Sequence, residues 1–340
     1  MTSEKSGSEH LVKTVLVAKG IAIILVVIGH YRPPGAPEYW ATLRAGIYTF
    51  HMPLFFLLSG YLYHGLKKRS YRDHLKNKLH RLIIPFLSVA LFFLAVKYLP
   101  NCYLKLENPI TTASVINVFL DPWNSYIPML WFVYTLLLIF MLYPALELCV
   151  KKPGHILLLS ILIFLIPMPH LFCLDKLSEN LPYFSLGVLL SYHVRLDRKQ
   201  PLLASALILV ASAMICYLPA HIATSCDSHR CLTLIKLATG MTGCLLCLLL
   251  SNKIQEYFPT SIALWLATVG VFSMSIYLFH TLFESSARVV FYQLMRADNH
   301  FEARALFAVA SGVLMPMVLA RYVLQRFYFT RKYLLGLGTQ

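Results

Sequence analysis

Charge is scarce in this 340-residue chain. Only 13% of its residues are Asp, Glu, Lys or Arg, where soluble domains carry about a quarter. Acid is scarcer still, with 15 Asp and Glu against 30 Lys and Arg. The first shortage excludes an ordinary soluble protein. The second counts against a proton-coupled transporter, which would place carboxylates within its helix bundle. The few acids at helix positions include Glu147 and Glu284. No P-loop, GxGxxG or GxSxG is present, so ATP hydrolysis and an elbow-serine hydrolase have no support. No internal repeat is visible, which weakens an inverted-repeat transporter. No polar stretch is long enough for a separate soluble domain, which takes ~50 residues or more.

What is abundant is apolar sequence. Hydrophobic residues make up 58% of the chain, and the mean hydropathy is +0.65. The fold class expected is an all-α polytopic membrane protein of about ten transmembrane helices, both termini cytoplasmic. It would form a single integral-membrane domain over 1–340 with no fused soluble domain. The approximate helix limits are 14–31, 45–66, 81–99, 128–149, 154–169, 181–194, 202–220, 232–251, 261–283 and 303–325. The first apolar segment lacks a small-residue cleavage site, so it is expected to remain as an anchor. Two outer loops, 100–127 and 284–302, are expected to cover that face.

The net charge of +15 reads first as topology. With the N-terminus inside, most Lys and Arg fall in cytoplasmic segments, as the positive-inside rule requires. The other side holds Arg32, Arg44, Lys105, Lys176, Arg230, Arg288 and Arg296. Membrane lipids, not nucleic acid, are the partners that this charge implies.

The chain's most unusual stretch runs from Lys19 to His30, KGIAIILVVIGH. Eleven positions are about three helical turns, so both side chains lie on one stripe, ~16 Å apart along the axis. Ionisable groups in a membrane helix default to function. The bland alternative is a snorkelling lysine and a wet helix end. His51 and His280 fall near the outer ends of two further helices. Three histidines at one depth suggest a shared polar site, if the helices meet. Histidine is the usual general base near neutral pH. No fixed spacing supports a metal, and none is expected.

On the inner face, the segment from Lys67 to Arg81 is strongly basic, with Asp73 its one acid. Lys78 and Arg81 lie one turn apart at a membrane entry. They suit either lipid headgroups or the phosphates of an anionic cytosolic ligand. Ser59-Gly60 makes a notch in a bulky helix, for close packing or for a thin ligand. Of the cysteines, Cys244 and Cys247 sit in an apolar run and read as packing. Cys226 and Cys231 share a polar segment that could carry a disulfide.

These residues carry a resemblance. The blocks from Lys19 to His30, Phe50 to Leu62 (FHMPLFFLLSGYL) and Lys78 to Pro85 (KLHRLIIP) resemble the integral-membrane acyltransferase family 3. Within it, the chain is similar to the fucose 4-O-acetylase-like sugar O-acetyltransferases. Leu130-Trp131-Phe132 and Tyr277-Leu278-Phe279-His280 also look like family positions. The family's Arg-x-x-Arg reads Lys78-x-x-Arg81 here, replacing a forked guanidinium with a point charge.

The resemblance implies transfer of an acyl group, commonly acetyl from acetyl-CoA, to a hydroxyl of an extracytoplasmic glycan or lipid-linked sugar. It implies a multi-pass protein of the bacterial inner membrane. His30 would be the catalytic base, with His51 and His280 orienting the hydroxyl or stabilising the oxyanion. Lys19, Lys78 and Arg81 would hold acyl-CoA, and Trp131 and Tyr277 the acceptor. The alternatives are a transporter or flippase without acyl chemistry, and a structural subunit with no ligand.

Overall fold

The structure is a computed structural model, and it describes residues 2–63, 71–103, 109–193, 229–295 and 300–333. Every regular element among them is helical, as lipid demands of a chain whose backbone must satisfy itself. In chain order these are α1 (Thr2–His30), α2 (Glu38–Tyr48), α3 (His51–Tyr63), α4 (Tyr71–Tyr103), α5 (Thr112–Leu120), α6 (Trp131–Cys149) and α7 (Pro153–Phe164). They continue with α8 (Leu174–His193), α9 (His229–Tyr257), α10 (Thr260–Val271), α11 (Ser273–Met295), α12 (Phe301–Leu319) and α13 (Tyr328–Tyr333). The protein is a multi-pass integral membrane protein. Among the described residues 5 helical stretches are long and apolar enough to cross a membrane, or 6 if α10 and α11 form one bent span. The expected helix at 202–220 and the Cys226–Cys231 pair lie outside the described residues.

Three expectations are corrected. The helix expected at 261–283 is two helices meeting at an 80° bend. Phe272 leaves the helical path at φ −86°, ψ 8°, and its carbonyl accepts the Ile276 N–H that starts the next helix. Hydropathy measures apolar length and is blind to direction. The outer loop expected at 284–302 is helical as far as Met295. The loop expected at 100–127 contains α5, which Thr111 and Ser114 cap reciprocally, satisfying two otherwise orphaned N–H groups.

The chain divides into two compact units, with the first boundary between Leu58 and Ser59 inside α3. The first unit, Met1–Leu58 with His193–Ala320, is built around α1. Gly20 faces the Leu266 carbonyl and Gly270 faces the Leu16 carbonyl, each with no room for a Cβ. Reciprocal glycines thus let α1 and α10 touch backbone to backbone. Val17, Leu266 and Ala267 fill the seam, with Leu16, Ile21, Ile24 and Ile254 around it. Pro33 and Pro34 follow the end of α1 after two intervening residues, and proline cannot continue a helix. The chain then turns through Gly35, at φ 70°, into α2.

α2 is tied across the end of α1. The Arg44 Nε–H donates to the Gly29 carbonyl at 2.7 Å, and the Trp40 indole donates to the Tyr31 carbonyl at 3.0 Å. The Tyr39 hydroxyl donates to Glu302 of α12 at 3.0 Å. Tyr31, Trp40 and Phe301 pack edge to face beneath these bonds.

The second unit, Ser59–Tyr192 with Arg321–Gln340, is organised around Gly60. A Cβ there would collide with the Phe184 carbonyl of α8. The notch at Ser59-Gly60 is therefore filled by a helix backbone. Tyr63, Phe140, Tyr143 and Phe184 form an aromatic cluster beside it.

Candidate active site

Three elements of the first unit converge on one point: the last residue of α1, the first of α3, and the second turn of α11. They carry His30, His51 and His280. The His30 and His280 ring centroids are 5.0 Å apart, and those of His30 and His51 are 6.4 Å apart. His51 is 2% exposed and His280 1%; His30, between them, is half-buried. The structure thus brings together three side chains that the sequence placed only at similar depth.

The backbone fixes how these rings present themselves. The Nδ1 of His30 lies 2.8 Å from the Val26 carbonyl, and that of His51 lies 2.8 Å from the Ile47 carbonyl. The Nδ1 of His280 is shared between the Ile276 and Tyr277 carbonyls, at 3.0 and 2.9 Å. Helical side chains lean back toward the N-terminus, which brings each ring over the carbonyl one turn earlier. A carbonyl oxygen only accepts, so Nδ1 carries the proton in all three rings. Each neutral ring therefore presents an Nε2 lone pair, the form that a general base requires. Pro53, in the first turn of α3, has no N–H to satisfy, which suits a helix beginning at His51.

Tyr48 and Arg44 belong to the same place, and sequence reasoning passed over them as site residues. The Tyr48 ring lies 4.8 Å from His51 and 5.9 Å from His30. The Arg44 guanidinium sits 5.7 Å from the Tyr48 centroid. Gly29 makes room, since a Cβ there would lie 3.3 Å from the Tyr48 ring. Arg32 and Arg44 bring positive charge close to His30. The available signal was spacing: Arg44, Tyr48 and His51 follow one helical stripe at four and then three residues.

The remaining expected residues are placed as follows. Lys19 lies on α1, half-buried, and none of the ion pairs among the described residues involves it. Tyr277 is 5% exposed, with its ring 6.5 Å from His280. Trp131 belongs to the second unit, where it packs edge to face on Trp123 at 5.9 Å. Lys176 lies over the other ring of that pair, 5.3 Å from the Trp123 centroid. Burial pulls the Lys176 ammonium down, but Glu179 and Asp175 outweigh it and hold its pKa above the ordinary value. Lys78 and Arg81 stand on α4, with side chains outside the described residues. Among the described residues, no group of three or more His, Cys, Asp or Glu is arranged to hold a metal.

Comparison with known proteins gives this geometry a context. A family model described as an acyltransferase domain, that of acyltransferase family 3, matches residues 15–327. "Nodulation protein NolL" of Sinorhizobium fredii is 29% identical over 211 residues, which are 59% of this chain and 55% of that protein. "Nodulation protein NolL" of Mesorhizobium japonicum is 38% identical over 76 residues, 21% of this chain and 20% of that protein. The chain therefore matches about half of one relative's length and a fifth of the other's. No solved structure matches it. With the family model spanning nearly its whole described length, the chain belongs to the acyltransferase 3 family of membrane O-acyltransferases.

Proposed function

We propose that this protein moves an acetyl group from cytosolic acetyl-CoA to a hydroxyl of an extracytoplasmic or lipid-linked glycan in the bacterial inner membrane. The similarity to the fucose 4-O-acetylase-like branch supports a sugar acceptor. The observation that carries the reading is the histidine cluster, whose Nδ1 atoms are all pinned to carbonyls. His30 is the base: it is the most accessible of the three and lies between the other two.

The acceptor oxygen attacks the thioester carbonyl carbon while its proton passes to the His30 Nε2. The C–S bond then breaks, and the departing CoA thiolate takes that proton back. His51 and His280, neutral and with Nδ1–H already donated, have only an acceptor to offer. They orient hydroxyls and do not donate to the oxyanion. Arg44, with Nε–H on Gly29, keeps its terminal N–H groups for the developing negative charge. Lys19 binds a CoA phosphate. The ~16 Å of helical rise between Lys19 and His30 is of the order that a pantetheine arm spans.

Mass spectrometry of surface glycans from cells with and without the gene tests this reading. The expected result is a glycan lighter by one acetyl unit in the deletion strain, restored by the wild-type gene. Identical glycans in both strains would refute it.

A further inference from the structure

His30 has the rings of His280, Tyr48 and His51 packed around it. His51 and His280 are sealed, at 2% and 1% exposed, whereas Tyr48 is 43% exposed. Of these neighbours only Tyr48 offers surface to an arriving molecule. Tyr277, expected to hold the acceptor, is 5% exposed and offers little.

The fold sets the Tyr48 ring firmly in place. Tyr48 closes α2, which Arg44 ties to the Gly29 carbonyl at 2.7 Å. Gly29 lets the ring in, since a Cβ there would lie 3.3 Å from the Tyr48 Cε2. Neither imidazole lies flat on the ring: the planes meet at 73° with His51 and at 38° with His30. The Arg44 guanidinium stands off at 5.7 Å from the centroid. An aromatic residue at a membrane interface commonly serves as a lipid anchor. Tyr48 differs from such an anchor, because its neighbours are two imidazoles and a guanidinium.

An aromatic face is apolar and carries negative potential. The surface that suits it is a flat patch of C–H bonds, weakly positive at hydrogen, with hydroxyls directed to the rim. A pyranose ring holds such a patch rigidly; an open-chain polyol does not. The distances allow the contact. The Tyr48 and His30 centroids are 5.9 Å apart. A sugar ring resting ~4 Å above an aromatic face, with ~3 Å from its hydroxyl to an acceptor atom, spans that separation. The geometry points to Tyr48 as the platform for the acceptor's sugar ring, so that the site selects a pyranose with an apolar C–H face over a flexible polyol. The inference rests on the acyl-transfer reading above and adds the residue that recognises the acceptor. Tyr48 takes no proton and has no part in binding acetyl-CoA. A rigid aromatic side chain gives such a contact at little cost in conformational freedom.

The test uses the full-length protein purified in detergent, acetyl-CoA and two acceptors: methyl α-L-fucopyranoside and the ring-free L-fucitol. CoA thiol release and acetylated product are the readouts. The wild-type protein favours the pyranoside in kcat/KM by about tenfold, the size of a good aromatic contact. Tyr48→Leu, which has no π face, brings the two acceptors to parity through the pyranoside KM and leaves the KM for acetyl-CoA unchanged. Tyr48→Phe preserves the preference, because it keeps the aromatic face. An equal loss on both acceptors in Tyr48→Leu is the mark of a merely structural role and overturns the inference. An undiminished preference in that variant overturns it as well, as does a wild-type protein that prefers neither acceptor. No thiol release by the wild-type protein with either acceptor is a different failure, which removes the acyl-transfer reading and this inference together.

Discussion

Replacing His30 with alanine lowers acyl transfer by ~10²–10⁴-fold, the contribution of a well-placed general base. The thermal unfolding of the purified protein changes little by comparison. The ring is half-buried at the end of α1, and its removal costs one hydrogen bond to the Val26 carbonyl, worth about 1 kcal/mol net. If His51 and His280 orient the hydroxyl without taking its proton, as proposed, His51→Ala and His280→Ala lower the rate less. They also unfold more readily, since each leaves a cavity at a nearly fully buried position. Kinetics and melting therefore separate the base from its neighbours. Full activity in His30→Ala would end the assignment.

The second large effect is structural. Valine at Gly20 or Gly270 prevents α1 and α10 from meeting, because the added Cβ strikes a main-chain carbonyl in each case. A flexible side chain could yield; a helix backbone cannot. The cost exceeds the ~1–3 kcal/mol typical of overpacking, a large share of the ~5–15 kcal/mol that a folded domain has in hand. Both variants should express poorly or melt far below the wild type in detergent. Alanine at Gly154 is the control, since nothing lies within 4 Å of its added Cβ. Gly154→Ala should melt at or slightly above the wild-type temperature. Equal melting temperatures for all three variants would mean that the glycine seam does not hold the first unit together.

Some of this was legible in the sequence, for physical reasons. Lys19 and His30 stood out because charge in an apolar helix is costly, and a helix of known pitch places them on one stripe. The all-helical architecture followed from apolar length. The convergence of His30, His51 and His280 was not legible, because it depends on which helices pack together. That choice is made by glycines such as Gly20 and Gly270, whose role is a missing atom. The bend at Phe272 left only a weak mark: no proline announces it, and Gly270, Ser273 and Ser275 around it are residues that membrane helices also carry at packing seams. Tyr48 escaped because an aromatic residue in an apolar chain is ordinary; only its 4.8 Å approach to His51 separates it from the rest. Glu284 was conspicuous as a rare acid. Its surroundings were not legible: Gly312 of α12 packs against it because a glycine leaves out the atom that would collide.

Passage of an acyl group from CoA on one side of the membrane to a hydroxyl on the other, at the His30 cluster, can be followed across a sealed bilayer. The experiment uses sealed proteoliposomes with the protein reconstituted in one orientation, radiolabelled acetyl-CoA on the Lys19 side and a glycan acceptor on the His30 side. The expected result is labelled ester on the acceptor, free CoA thiol in the donor compartment, and loss of both with His30→Ala. Label that crosses as intact acetyl-CoA, or an acceptor that stays unlabelled while His30→Ala behaves as wild type, would contradict it.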